Sequence, residues 1–180
     1  MKHKKLVCFC CCLVTCLSVS SAKEWATGIG SCYKQHSKTI SLGMSLLHFG
    51  FFAAFDYGVH DAISVGIASG YNGYGHSRYW RYHFVPIGGR AAFHPFNLSV
   101  LADKIKVRDK LDVYVGFAMG GRVGWATWEY NGDELDEPKV GGFFFREYIG
   151  IRFFPTNNFY IMCDEGSGLG VFNLGVGFAF

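Results

Sequence analysis

Beyond about its first twenty residues the sequence has no uninterrupted apolar run long enough for a membrane-spanning helix, although half of its 180 residues are hydrophobic. Such a helix needs about 20 consecutive apolar residues, so a helical membrane protein is excluded. Cysteine is also scarce outside the start of the chain. Of 7 cysteines, Cys8, Cys10, Cys11, Cys12 and Cys16 lie in the leading apolar segment, leaving Cys32 and Cys163. These two belong to regions that the strand order below keeps apart, so both are expected to remain free thiols. Net charge is the third deficit. Lys2, Lys4 and Lys5 precede the apolar stretch from Leu6 to Leu17, and Ser20-Ser21-Ala22 supplies small residues at cleavage-site spacing, the pattern of a secretory signal peptide over residues 1–22. Cleavage before Lys23 takes 3 of the 17 basic residues and none of the 14 acidic ones, leaving 14 of each. With no basic excess, nucleic acid is not an expected partner. Leu13-Val14-Thr15-Cys16 offers a second outcome, lipidation at Cys16, but Thr15 stands where such signals carry a smaller residue.

What the chain has instead is glycine, 24 residues, and 18% aromatics, arranged with a period of two. Residues 23–38 carry no period and read as a periplasmic lead-in; residues 39–180 form one domain of eight alternating segments. The clearest is the last. Phe172, Leu174, Val176, Phe178 and Phe180 share one face, with Asn173, Gly175, Gly177 and Ala179 on the other. A greasy face backed by a small one fits a wall with lipid on its greasy side. The other segments begin at Thr39, Phe51, Ile63, about Trp80, Leu111, Phe143 and Phe159. Tyr71 to Tyr79 and Glu129 to Gly142 read as loops, a short helix is expected around Leu98, Leu101 and Ile105, and Pro86 predicts a bulge or kink in the fourth strand. Glu147 falls on the lipid face, an exception to the pattern. Aromatics near strand ends, Tyr57, Tyr71, Tyr79, Trp80, Trp125, Trp128 and Tyr160, match interfacial girdles. Unpaired edges are not tolerated in lipid, so an even meander of this kind must close into an antiparallel, up-and-down, eight-stranded transmembrane β-barrel.

The chain resembles the small eight-stranded outer-membrane β-barrel proteins of Gram-negative bacteria, the porin-like outer-membrane barrel superfamily. The resemblance rests on Tyr57-Gly58 leading into Ile63-Ser64-Val65-Gly66, on Pro86-Ile87-Gly88-Gly89-Arg90, on Leu111-Asp112-Val113-Tyr114-Val115-Gly116, on Gly150-Ile151-Arg152-Phe153-Phe154, and on a closing strand that ends in Phe180. It implies an outer-membrane location, with lipid and lipopolysaccharide around the wall, and Phe180 as part of the signal read by the assembly machinery. A monomer is expected.

Inward parity collects Asp56, Arg90, Asp112, Arg122, Arg146, Arg152 and Asp164 in the lumen, where opposite charges at one depth should pair and plug the barrel. Other motifs carry less. His76-Ser77 with Glu129 or Asp133 would make a lipid hydrolase at the rim only if folding brought them into triad geometry. Asp133, Glu134, Asp136 and Glu137 lack the ligand spacing of a calcium loop. No catalytic, metal or cofactor site is expected. The leading function is a structural or surface-interaction role through the outer loops, with a small channel and a lipid-modifying rim enzyme as alternatives; a soluble lipid-binding barrel is the rival at the level of fold.

Overall fold

The computed structural model describes residues 32–46, 49–75, 80–98, 101, 104–128, 141–166 and 171–180. Eight strands follow one another: β1 (Lys38–Ser45), β2 (Phe49–His60), β3 (Ile63–Gly75), β4 (Trp80–Phe93), β5 (Leu111–Trp128), β6 (Gly141–Phe153), β7 (Phe159–Glu165) and β8 (Phe172–Ala179). Each is antiparallel to the next, and β1 pairs with β8 to close the ring. The period of two explains the wall. Leu42, Ile67, Val123, Ile149 and Phe178 point outward and are exposed, while Ser41, Phe52, Ala68, Ala118 and Tyr160 point inward and are buried.

Small inward residues let large ones fill the lumen. Tyr114 is paired with Gly150 and Tyr148 with Gly116 between β5 and β6, and Tyr160 with Gly177 between β7 and β8. A Cβ at any of these glycines would run into the tyrosine ring opposite. The glycines are therefore seats for rings, which a narrow barrel needs if its interior is to be packed.

The strands are steeply staggered. The paired path Ile63, Phe93, Val115, Ile149, Glu165, Phe172 starts at the first residue of β3 and reaches the loop end of β8, where Leu46 donates to the Phe172 carbonyl at 2.8 Å. A line perpendicular to the strands thus climbs from one rim to the other, as strand tilt requires. The wall is also uneven. β5 has 18 residues, whereas β1, β7 and β8 have 8, 7 and 8. On β4 the outward row from His83 to Phe93 spans about 33 Å of strand at ~3.3 Å per residue. A tilt of ~40° projects that onto about 25 Å, the height of a membrane barrel's apolar band. On β1 the row from Ile40 to Leu46 covers only about 15 Å by the same projection.

Several local expectations change. Residues 71–75 belong to β3 rather than to a loop, because their rings are packed across strands: Tyr71 against Phe51 at 5.7 Å, and Tyr74 against Phe84 at 5.6 Å. Pro86 makes no bulge. The β3–β4 ladder lapses opposite it and resumes in the same register at Asn72 and Phe84, while Ser69 Oγ donates to the Pro86 carbonyl at 3.0 Å. The register shift lies in β2, between Gly58 and His60. Between β4 and β5 a 3-10 turn spans Pro95–Asn97, and the short helix expected around Leu101 holds at that residue, which is helical and whose carbonyl accepts from Ile105 N–H at 3.0 Å. Tyr160 is no girdle residue, since it faces the lumen and bonds Ser41 at 2.7 Å. Glu147 does face outward. It stands just beyond the end of β7, where Ile149 pairs with Glu165, so it is at the loop rim of the low side.

Candidate functional site

The lumen contains a connected chain of buried charges. Asp56 on β2 receives Arg90 Nε at 3.1 Å from β4 and Arg152 Nη2 at 2.6 Å from β6. Arg152 Nη1 lies 3.8 Å from Asp112 Oδ2, an ionic contact rather than a hydrogen bond. Asp112 Oδ1 meets His94 Nδ1 at 2.8 Å, and His94 Nε2 meets Ser64 Oγ at 3.0 Å. Asp164 accepts from Asn173 Nδ2 at 2.8 Å and from the Tyr114 hydroxyl at 3.4 Å. All of these side chains are buried. The seated tyrosines cover the cations: Arg90 lies 4.6 Å over the Tyr148 ring, and Arg152 lies 4.6 Å from Tyr114 and 5.3 Å from Tyr160. Desolvating such charges costs several kcal/mol each, which the ion pairs and ring contacts offset, although Arg90 Nη1 and Nη2 and Arg152 Nε make no hydrogen bond.

Of the seven charges that share inward parity, Asp56, Arg90, Asp112 and Arg152 form this chain and Asp164 joins it through Tyr114. Arg122 and Arg146 are a correction. They keep the inward parity but lie on the tall part of the wall toward the loop rim, where both are exposed. Arg122 rests 5.0 Å over the Phe84 ring. The sequence pattern alone does not single out Ser64, His94 or the three tyrosines, although each continues the even-numbered inward row of its strand. Tyr33 carries no such signal.

Tyr33 closes the end of the lumen on the side where Lys38 meets Phe180. Its ring stacks on His94 with centroids 3.7 Å apart and planes 7° from parallel, and its hydroxyl donates to the Ile63 carbonyl at 2.8 Å. The short segment around it is tied down by Cys32 N–H to Arg108 O at 3.0 Å, Asn97 Nδ2 to Tyr33 O at 3.1 Å and Gln35 N–H to Asp61 Oδ1 at 2.9 Å. The described part of the unpatterned lead-in, from Cys32, therefore forms a stopper. Burial, with the Asp112 charge adding in the same direction, pushes the Cys32 thiol and the Tyr33 phenol well above their ordinary values. Cys32 and Cys163 are not joined by a disulfide.

Ser64, His94 and Asp112 have the connectivity of a nucleophile, base and orienting carboxylate. The arrangement offers no room for chemistry, because Ser64 is 1% exposed and the Tyr33 ring lies flat on the imidazole. Asp112 is also shared with Arg152. The motif His76-Ser77, with Glu129, and the acidic residues Asp133, Glu134, Asp136 and Glu137 lie outside the described residues.

Phe180 sits at the seam. Its N–H donates to the Lys38 carbonyl at 2.9 Å and its carbonyl accepts from the Lys38 N–H at 3.0 Å, with the ring outward. On the outer face near the loop rim, Phe51, Tyr71, His83 and Trp125 form a ring ladder across four strands: Tyr71 bonds His83 Nδ1 at 2.6 Å, and His83 stacks on Trp125 at 5.2 Å.

No family model matches this chain, and no curated protein matches it in sequence. Solved structures do match in shape. The N-terminal β-barrel domain of OprF from Pseudomonas aeruginosa aligns with a TM-score of 0.50 and 21% identity, over 81% of this chain and 98% of that one. The attachment invasion locus protein Ail of Yersinia pestis aligns at 0.53 and 15% identity over 81% and 99%. OprG from Pseudomonas aeruginosa aligns at 0.50 and 10% identity over 82% and 97%. With its ring of eight antiparallel strands and its outward apolar rows, the chain has the fold of the small outer-membrane β-barrels.

Proposed function

We propose that this protein is an integral outer-membrane barrel with a closed lumen, which serves a structural or surface-interaction role at its loop end. The observation that carries the reading is the charge chain itself. Arg90, Asp56, Arg152 and Asp112 cross the lumen among packed tyrosines, and Tyr33 covers them from below. A continuous water path would have to break ion pairs that no solvent compensates. Membrane insertion is supported by the outward row of about 25 Å on β4 and by the aromatic ladder at its loop end, to which His83 belongs. The leader over residues 1–22 supplies a route through the inner membrane. Surrounding lipid and lipopolysaccharide, and the assembly machinery during biogenesis, are its partners in this reading, with the barrel as a monomer.

Two experiments test it. Cell fractionation with a heat-modifiable gel shift should place a folded barrel in the outer membrane. Purified protein in a planar bilayer should then pass no steady current. Reproducible single-channel steps would replace the closed barrel with a channel; recovery in the soluble periplasmic fraction without detergent would remove the membrane assignment.

A further inference from the structure

The two arginines left out of the charge chain sit where the wall is most uneven. Arg122 on β5 and Arg146 on β6 face the lumen side and are exposed, and neither has a carboxylate within ion-pair distance among the described residues. By register Arg122 lies opposite Gly142, four positions from Arg146. Their Cα atoms are thus about 14 Å apart at ~3.3 Å per residue and ~4.8 Å between strands. Two extended side chains of that length can converge on one anionic group, and each guanidinium offers the planar pair of donors that suits phosphate. Phe84 and Phe144, on the same inward rows, give this part of the mouth an apolar backing.

Strand length decides where an anion can come from. β6 pairs with β7 only from Ile149 to Phe153, so Arg146 stands three residues beyond the last β7 partner. Beyond β7, Gly166 lies against the Glu147 backbone, and its N–H donates to the Val171 carbonyl at 3.1 Å. On this side no described strand separates the lumen-facing Arg146 from the surroundings of the barrel. Phe143 and Phe145, its outward neighbours, carry exposures of 72% and 54% and lie on the apolar face. Glu147 and Glu165 turn outward from the same rim, opposite in parity to Arg146, so these two described carboxylates do not offset its charge on the lumen side.

We propose that Arg122 and Arg146 bind the phosphate of a membrane lipid whose headgroup reaches over the low wall of β7, β8 and β1 into the mouth. This rests on the membrane reading above and adds a ligand class and its site. A short wall brings the bilayer surface down to the level of Arg146, because lipid adapts its thickness to the apolar height it meets. The charge does the rest.

Native mass spectrometry of the detergent-solubilised full-length mature barrel tests the site, with phosphatidylglycerol, phosphatidylcholine and inorganic phosphate as probes. Wild type should retain phosphatidylglycerol at least tenfold better than R122Q/R146Q does, and Arg81→Gln, on the outer face, should behave as wild type. Both arginines are exposed, so the double variant should keep its heat-modifiable gel shift, which shows that it folds. Equal retention of phosphatidylglycerol by wild type and the double variant overturns the site. Retention of phosphatidylcholine equal to that of phosphatidylglycerol overturns a charge-read headgroup. Displacement of bound lipid by an equal concentration of inorganic phosphate makes a free anion the ligand and overturns the lipid assignment. Cell fractionation is read separately, so failure of the membrane reading is distinguishable from failure of this site.

Discussion

Arg152 on β6 reaches Asp56 on β2 at 2.6 Å, a contact between opposite staves of an eight-stranded ring. It ties the two sides of the barrel together across the lumen, and Arg90 from β4 shares the same carboxylate. Removing Asp56 leaves Arg90 without its carboxylate and Arg152 with only the 3.8 Å contact to Asp112. Asp56→Ala and Arg152→Ala are each expected to cost about 3 to 5 kcal/mol, whereas Arg122→Ala, exposed at the mouth, should change stability by about 0.5 kcal/mol or less. Urea unfolding of the refolded barrel in detergent checks this, and equal midpoints for the three variants would remove the network.

The ring seats make a separate forecast. A methyl group at Gly150 would enter the ring of Tyr114, while one at Gly121 meets nothing within 4 Å. Gly150→Ala should destabilise by about 1 to 3 kcal/mol through overpacking. Gly121→Ala should be close to neutral, and a combined Gly150→Ala/Tyr114→Leu should recover part of the loss. Unfolding midpoints of the three variants decide it; a harmless Gly150→Ala would mean that the ring has room to move.

Parity made the wall legible from the sequence, because a period of two assigns each side chain to a face without knowledge of its neighbours. That is why Asp56, Arg90, Asp112 and Arg152 can be placed in the lumen in advance. Parity gives no height. Arg122 and Arg146 share the inward face with them, and only the register and unequal strand lengths show that they rise above the packed zone. Tyr71 looks like loop in a stretch rich in Gly and Asn, yet its ring finds Phe51, His83 and Trp125 on neighbouring strands, so tertiary packing overrides local composition. Tyr33 was the least accessible of all. Its seat is built from His94 and Ile63, far along the chain, and nothing in the residues around it has a period.

The stopper should show itself at alkaline pH. The Cys32 thiol and the Tyr33 phenol are raised in the folded barrel, so the native state holds their protons more tightly than the unfolded chain does. Their contribution is complete below the ordinary thiol value of 9.0 and is lost as pH rises above it, because the unfolded chain ionises first. Stability should be level from pH 6 to 8 and decline above about 9 by up to ~1.4 kcal/mol per pH unit per group. Cys32→Ser should flatten the first part of that decline. In the folded protein at about pH 9, where an ordinary thiol is half ionised, iodoacetamide should leave Cys32 unmodified, and Tyr33→Ala should expose it. Rapid alkylation of Cys32 in the intact barrel would show that the segment does not close the lumen.

The seam between the first and last strands offers a way to separate folding from recognition. Phe180 contributes two backbone hydrogen bonds to Lys38, while its ring is 63% exposed on the outer face and adds little to the packed interior. Deleting Phe180 removes both bonds at the point where the ring closes, so refolding into detergent or lipid should be impaired. Phe180→Ala keeps the backbone bonds and should refold in vitro almost as wild type does. If the assembly machinery reads the aromatic ring, both changes should lower the heat-modifiable form in cells to a similar extent, although only the deletion is impaired in vitro. Wild-type cellular levels of Phe180→Ala would remove the recognition role and leave Phe180 as a residue that closes the seam.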